Sequence, residues 1–520
     1  MVHNQFFVLI KRGKNLRKVG IIELQTTSAR LIIADVLENQ SFIITDKYEN
    51  GIKAAADLAN FELIKPTCIA SISSVLKTYK AILAASQVSE IYAIASCEYF
   101  DAKNQRSLFE ELYSTTSFRF KLLTQEEQSN NLYLAFINSL DCPKGLALGV
   151  NGANVQILAY NRRNTLNQAT VNCGAVSLAE MFAEKNLAPE SAMKEMTNEF
   201  SKQISSIDWF KGLDSETQIV GAGDVFLSIA KLSKKLKHYP YSREHSYQFS
   251  LDDLNKVYDF VKTLDIDKTK KLKGISNQRA DALASGISIV KAVAEKSKID
   301  KFIVSSYGVA EGYLLGIVNQ ACLEKPLSDI LGNSLETLDM YYNNANIKNT
   351  QNIYDISLIL FKQLKVLHKL PRNYVKVLRI ASYMHDVGKR ISYIDYEKKG
   401  FNVVLDSEIY GVNHHEQVLA SFVVACQKLD DFSMTDWVKY SSMLSETDLD
   451  GVRKLAVIVR LASLLDMFGS GRIKDISCDI LGDSVIMKTI VDAPVDMEIA
   501  EALKVSGDFA KAFKKHLEIL

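Results

Sequence analysis

The sequence predicts an α/β protein of two similar domains followed by a mainly helical third. Three observations carry this expectation: a strand-turn-strand unit that occurs twice, alternation of strands and helices up to about Pro326, and a change to helical spacing beyond it. At 520 residues the chain exceeds what one hydrophobic core fills, so two to four domains are expected.

Lys18 to Leu24 (KVGIIEL) reads as a short apolar strand, Gln25 to Ser28 (QTTS) as a polar turn, and Ala29 to Val36 (ARLIIADV) as a second strand. This is a hairpin with hydroxyls at its tip. The layout returns at Gly145 to Val150, Asn151 to Asn154 (NGAN) and Val155 to Tyr160, where an Asn-Gly pair favours the turn. Between the hairpins, Ile91 to Ala95 reads as a strand, and Lys103 to Tyr113 and Glu126 to Phe136 as helices. The second half follows a comparable course. Gln218 to Val220 runs into a tight turn at Gly221 and Gly223, Ala280 to Ala294 is an amphipathic helix, and Lys301 to Val304 is a buried strand. Beyond Pro326, Ile353, Ile356, Leu360, Leu364 and Leu367 fall at helical spacing, with further helices over Val375 to Met384, Val418 to Ala425 and Leu455 to Leu465. After Gly469 a small sheet is expected, and Asp496 to His516 reads as a closing helix.

With 62 basic against 61 acidic residues the net charge is +1, so no global field draws the chain to nucleic acid or a membrane, and any anion site has to be local. The 7 cysteines form no Cys-x-x-Cys pair, which argues for reduced, buried thiols rather than zinc or redox chemistry. The N-terminal residues place a short apolar run before their charges, the reverse of a secretory signal, and no uninterrupted apolar run reaches spanning length. A cytoplasmic protein with no nucleic-acid or membrane partner is expected.

Four segments carry a resemblance. Gly274 to Asp281 (GISNQRAD) is similar to G-L-S-x-x-R-A-D, and Ser305 to Leu314 (SSYGVAEGYL) to V-S-x-x-G-x-R-E-G-x-L. Asn172 to Phe182 (NCGAVSLAEMF) is similar to L-G-x-V-R-L-x-E-x-F, and Ala95 to Asn104 (ASCEYFDAKN) to A-T-S-A-x-R-D-A-x-N. In this order and spacing they resemble the exopolyphosphatase and guanosine pentaphosphate phosphohydrolase (Ppx/GppA) family. The resemblance implies two actin-like, ribonuclease-H-like (ASKHA) domains facing a cleft, expected at residues 1–143 and 144–317, and a helical HD-like domain at 318–520 with a small terminal α/β segment. It also implies phosphoanhydride substrates, polyphosphate or guanosine pentaphosphate and tetraphosphate, and Mg²⁺ if the chain is catalytic.

Phosphoanhydride hydrolysis needs donors for phosphate oxygens, a divalent cation and a carboxylate to orient water. The family's first hairpin, D-x-G-S-N-S-x-R-L, falls on Glu23 to Leu31. Glu23 keeps the carboxylate, and Thr26, Thr27, Ser28 and Arg30 remain as phosphate donors, while Gln25 replaces a glycine and puts a side chain where backbone would approach phosphate. The second hairpin, D-I-G-G-G-S-T-E, falls on Gly149 to Gln156, so both of its carboxylates are lost, with Asn151, Gly152 and Asn154 left as phosphate contacts. S-G-x-E-E-A falls on Thr124 to Ser129, placing Gln128 where the water-orienting glutamate belongs, with Glu127 beside it; these two and Glu23 are the catalytic candidates. A glutamine positions water but does not accept its proton. Phe100 and Ala310 stand where the family has arginines. Gly221 and Gly223 are further phosphate-loop candidates, although a lone Gly-x-Gly is more often a plain turn.

In the helical domain, His385-Asp386 resembles the HD metal signature, but Asn352 and Ser463 stand at the positions of the further ligands, and two ligands rarely hold a metal. The pair reads as a helix-packing network. His414-His415 reads as a solvated helix start, and the run Lys231 to Lys237 as a solvated helix face. Three functions follow: a Mg²⁺-dependent hydrolase, a non-catalytic polyphosphate or alarmone-binding regulator, and a dimeric scaffold. The hydroxyl-rich tip favours the first two, and the missing carboxylates favour the regulator.

Overall fold

The first hairpin forms because two apolar runs flank four polar residues. β1 (Arg17–Leu24) and β2 (Ser28–Val36) pair antiparallel, with Glu23 opposite Arg30 and Leu24 opposite Ala29. β3 (Phe42–Gly51) continues the sheet beyond β2, while β4 (Glu90–Ala95) and β5 (Phe120–Leu122) add parallel strands on the β1 side, giving the order β3-β2-β1-β4-β5. The computed structural model describes residues 16–185, 187–272, 280, 282–343, 347–426 and 428–520. The motif Gly274 to Asp281, apart from Ala280, therefore lies outside the described residues.

The same plan is repeated. β6 (Lys144–Val150), β7 (Val155–Asn161) and β8 (Asn164–Val171) form the antiparallel part of a second sheet, and β9 (Gln218–Ala222) and β11 (Lys301–Val304) its parallel part. The short β10 (Gln248–Ser250) lies on the outer edge, for the order β10-β11-β9-β6-β7-β8. Strands β1, β2, β6 and β7 are buried almost throughout, as expected of strands covered on both faces. In the first lobe the helix Pro66–Ala85, with proline at its first turn, covers Ile22, Leu31 and Ile33 with Ile69, Ile72, Leu76 and Leu83. That helix is long and apolar enough by composition to cross a bilayer, yet its apolar face is spent on this core. In the second lobe Leu146, Leu148, Val155 and Ile157 pack against Phe226, Ile229, Ile287 and Val290. Both lobes belong to one compact unit, Arg12–Ser328.

A second unit, which includes Asp329–Leu520, is mainly helical. Its helices include Ile347–Gln363, Tyr374–Met384, His414–Ala425 and Glu446–Leu465. Three expectations are corrected here and in the second lobe. The closing segment is not one helix: Asp496–Leu503 and Ser506–Phe513 are separate, and β14 (His516–Ile519) pairs parallel with β13 (Ser484–Val491), which is antiparallel to β12 (Ile473–Leu481). The sheet supplies backbone partners that a lone terminal turn would lack. His414 is buried rather than solvated, because the helix is capped one residue earlier by the Asn413-Glu416 box, and His415 Nε2 lies 3.2 Å from Asp448. Within Lys231 to Lys237, Lys234 is buried, donating to the carbonyls of Ser242 and Arg243 and to Glu244; burial pushes its pKa down. Six of the seven thiols are buried and all are free, as the absence of paired spacing predicted.

Candidate functional site

The first hairpin closes with the Gln25 N–H donating to the Ser28 carbonyl at 2.9 Å. Behind this tip, Glu23 on β1, Arg30 on β2 and Glu49 on β3 stand opposite one another across the sheet and share one face. Arg30 donates to Glu23 at 3.0 Å and to Glu311 at 3.2 Å, linking the first lobe to the helix Val309–Val318 of the second. Lys47 Nζ reaches the same Glu311 oxygen at 3.1 Å and lies 4.6 Å from the centre of the Tyr307 ring. Glu23 also accepts from Gln25 Nε2 at 2.9 Å. Burial pushes the Glu23 carboxyl above the usual range, with Arg30 opposing it. Glu311 is as deeply buried, but Lys47, Arg30 and the Gly308 N–H outweigh that burial and hold its pKa at about 2.

The second hairpin tip is braced from behind. Ala175 N–H donates to Asn151 O at 2.8 Å, and Val176 and Ser177 donate to Gly152 O at 2.9 and 3.1 Å, from the start of the helix Ala175–Ala183. A Cβ on Gly174 would fall 2.4 Å from Asn151 O, so only glycine permits this contact. A Cβ on Gly152 would fall 2.6 Å from Ala55 Cβ and 2.7 Å from Thr27 Cγ2. The two hairpin tips therefore touch.

Beside that contact lies a cavity of about 330 Å³ lined by Thr27, Ser28, Glu49, Asn151, Gly152 and Asp224. A smaller one of about 90 Å³ adjoins Gln25, Arg30, Gly149, Gln156, Gly223 and Tyr307, and shares Glu49 and Asp224. The structure thus brings Thr27, Ser28, Arg30, Asn151, Gly152 and Gly223 to one place. Thr26 and Asn154 are buried outside the cavity wall, Thr26 donating to Glu98 and Asn154 accepting from the Asn151 amide at 2.8 Å. Gly221 and Gly223 do not form a turn between strands: β9 runs on to Ala222 and Gly223, at φ +81°, opens the helix Gly223–Leu236. Gly221 is needed for packing, since a Cβ there would lie 2.2 Å from the Phe226 ring.

The helix Gln125–Ile137 carries the two other catalytic candidates, and both are engaged elsewhere. Gln128 is buried with its amide oxygen accepting the Cys97 N–H at 2.9 Å. Glu127 closes a capping box, accepting the Thr124 N–H at 2.9 Å, and Lys121 sits 2.7 Å from its other oxygen; the hydrogen bond from Lys121 lowers its pKa. Glu127→Ala is expected to remove about 1 kcal/mol of stability while leaving any phosphate release unchanged. A thermal melt and a phosphate assay on the same sample check both halves.

Sequence reasoning missed Glu49 and Asp224, the carboxylates that line both cavities. Asp224 follows the Gly-x-Gly directly and sits in the first turn of its helix, where a negative charge suits the helix dipole. Glu49 lies on the third strand, which the two-strand reading did not include. Mg²⁺ that binds phosphate needs only one or two protein carboxylates, so Glu49 and Asp224 fit the cation implied by the resemblance. Among the described residues no group of three or more His, Cys, Asp or Glu side chains is placed to hold a metal.

In the helical unit, His385 Nδ1 donates to the Ser382 carbonyl at 3.0 Å, and Asp386 lies 3.4 Å from Lys389. Both line a cavity of about 500 Å³ with Tyr396, Arg460 and Asp466.

Comparison with known proteins gives the arrangement a relationship. A family model described as the Ppx/GppA phosphatase family matches residues 32–321, and one for domain III of the same phosphatases matches residues 333–494. The guanosine-5'-triphosphate,3'-diphosphate pyrophosphatase of Aeromonas salmonicida is 22% identical over 200 residues, 38% of this chain and 38% of that protein. Its namesake in Pseudoalteromonas translucida is 20% identical over 312 residues, 57% of this chain and 58% of that protein. The chain thus matches less than two thirds of the length of these curated relatives. Among solved structures, the Aquifex aeolicus Ppx/GppA family member superposes with a TM-score of 0.50 at 22% identity, covering 59% of this chain and 99% of that one. An exopolyphosphatase from Cytophaga hutchinsonii gives 0.55 at 17% identity, covering 58% and 98%. At these identities the likeness to solved structures is one of fold. Matched over its two α/β lobes and again over its helical unit, the chain belongs to the Ppx/GppA phosphatase family.

Proposed function

We propose that the cleft binds the terminal phosphate of a phosphoanhydride, polyphosphate or guanosine pentaphosphate, and turns it over slowly or not at all. The observation that carries this reading is the bonding of Gln128. At the position where the family motif has its water-orienting glutamate, a neutral side chain is buried and committed to the Cys97 backbone. Thr27, Ser28 and Asn151 supply donors to phosphate oxygens at the cavity wall, and Arg30, whose charge is shared with Glu23 and Glu311, lies beside them. Mg²⁺, held by Glu49 and Asp224 together with the ligand, would neutralise phosphate charge and polarise the phosphoryl oxygens. Among the described residues the carboxylates lining the two cavities are Glu49 and Asp224; with both on Mg²⁺ neither is left to accept the proton of water, and the loss of general-base assistance slows such reactions by about 10²–10⁴-fold.

A second reading, a Mg²⁺-dependent phosphoanhydride hydrolase, is favoured by Glu49 and Asp224 sharing one cavity with those donors. Calorimetric binding and phosphate release, measured on the same protein with Mg²⁺ and either polyphosphate or guanosine pentaphosphate, separate the two. Binding that Thr27→Val weakens about tenfold, equivalent to one lost hydrogen bond to a charged group, with little release, is the expected result. Turnover at ordinary enzymatic rates of about 1–10³ s⁻¹ would establish the hydrolase instead, and absence of binding would leave only the scaffold.

A further inference from the structure

Glu98 lies in the short 3₁₀ segment Cys97–Asp101 that follows β4, and it is 2% exposed. One of its oxygens accepts the backbone N–H groups of Ala153 and Asn154 at 2.6 and 3.1 Å. The other accepts the hydroxyls of Thr26 and Ser96 at 2.6 and 3.1 Å. Two consecutive amides at a hairpin tip that converge on one oxygen form an anion-binding nest. This nest is held rigidly by the Ala175, Val176 and Ser177 N–H groups donating to the carbonyls behind it. The carboxylate filling it comes from the other lobe. In the motif that Ala95 to Asn104 resembles, this position is an alanine, which has no group to fill such a nest.

We propose that Glu98 is a resident anion, whose carboxylate occupies the amide pair of Ala153 and Asn154, latches the two lobes together and keeps ligand phosphate out of that pair. The consequence for specificity is positional. A ligand phosphate is confined to the side of the hairpin contact where Thr27, Asn151, Glu49 and Asp224 line the open cavity. Burial raises the Glu98 pKa, and the four donors oppose that rise. The positional consequence rests on the phosphoanhydride reading above, whereas the occupancy of the amide pair does not.

Hydrogen exchange followed by mass spectrometry on the whole chain, over a peptide that begins at Asn151 and so reports the amides from Ala153 onward, tests the occupancy with inorganic phosphate as the probe. In the wild type these amides are protected and phosphate changes nothing. In Glu98→Ala their exchange rises about tenfold as the local structure opens, and millimolar phosphate restores the protection by refilling the nest. A structural role alone would give the rise without the rescue. Unchanged exchange in Glu98→Ala, no rescue by phosphate, or a phosphate response already present in the wild type overturns the proposal. If the alanine variant fails to fold, Glu98→Gln keeps the shape without the charge, and exchange at wild-type rates in that variant overturns it equally. Because neither polyphosphate nor turnover enters the experiment, its failure and the failure of the phosphoanhydride reading are told apart.

Discussion

Arg30→Ala should destabilise the two-lobe unit by about 3–5 kcal/mol at neutral pH, the range for breaking a buried ion pair from one side. Arg30 serves two buried carboxylates, and they lose unequally. Glu311 retains Lys47 at 3.1 Å and the Gly308 N–H at 2.8 Å, whereas Glu23 retains, among the described residues, the Gln25 amide alone at 2.9 Å. The stranded charge is therefore Glu23, whose pKa burial already raises and Arg30 opposes. Its pKa rises further in the variant. A carboxyl with a raised folded-state pKa binds its proton more readily folded than unfolded, so the folded state regains stability as pH falls through that raised value. The deficit relative to wild type should accordingly shrink between pH 7 and pH 5. Glu311 does not interfere in that window, because its depressed pKa of about 2 stabilises the fold at all pH values above the ordinary carboxylate range and is lost only as pH falls toward 2. The chain has two tryptophans, Trp209 in the second lobe and Trp437 in the helical unit. In a Trp437→Phe background, denaturant unfolding read by Trp209 fluorescence isolates the unit that matters. A deficit below 1 kcal/mol, or one that grows on acidification, would refute the role assigned to Arg30.

This network also marks the limit of what the sequence disclosed. Both hairpins were legible because polar turns interrupt apolar runs, and their strands lie within a residue or two of the expected bounds. β3 was not, because Phe42–Gly51 is half-exposed and charged toward its end, so no apolar pattern announces it. Glu49 and Lys47 were lost with it. Glu98 was hidden for a different reason. It stood inside a recognised motif, but its partners are two backbone amides 55 and 56 positions away, and hydrogen bonds to backbone leave no trace in residue type. Conversely, Glu127 looked chemical in the sequence because it stands beside Gln128 in the segment that resembles S-G-x-E-E-A, but an acid three residues after a threonine is also the signature of a helix cap, and the cap is what the structure contains. The terminal β14 escaped because four residues are too few to show alternation.

Gly312→Ala is expected to cost about 3 kcal/mol, at the upper end for overpacking, although alanine is the better helix former by about 1 kcal/mol. The two effects oppose, and distance decides between them. A Cβ at Gly312 would lie 1.8 Å from the carbonyl oxygen of Asn131 and 2.7 Å from its carbon, so the obstacle is backbone that cannot rotate away. The helix Val309–Val318 must then move off the helix Gln125–Ile137, and it carries Glu311 with it, away from Arg30 and Lys47. Part of the loss should consequently vanish in a Gly312→Ala, Glu311→Gln double variant, because contacting sites are not additive. Gly507 supplies the control. It lies in the helix Ser506–Phe513 with nothing within 4 Å of its Cβ position, so only the propensity remains and Gly507→Ala should stabilise by about 0.5–1 kcal/mol. Trp437 fluorescence in a Trp209→Phe background reads that change. One substitution with opposite signs at two helical glycines ties the outcome to the Asn131 carbonyl rather than to alanine itself, and equal signs at both positions would break that link.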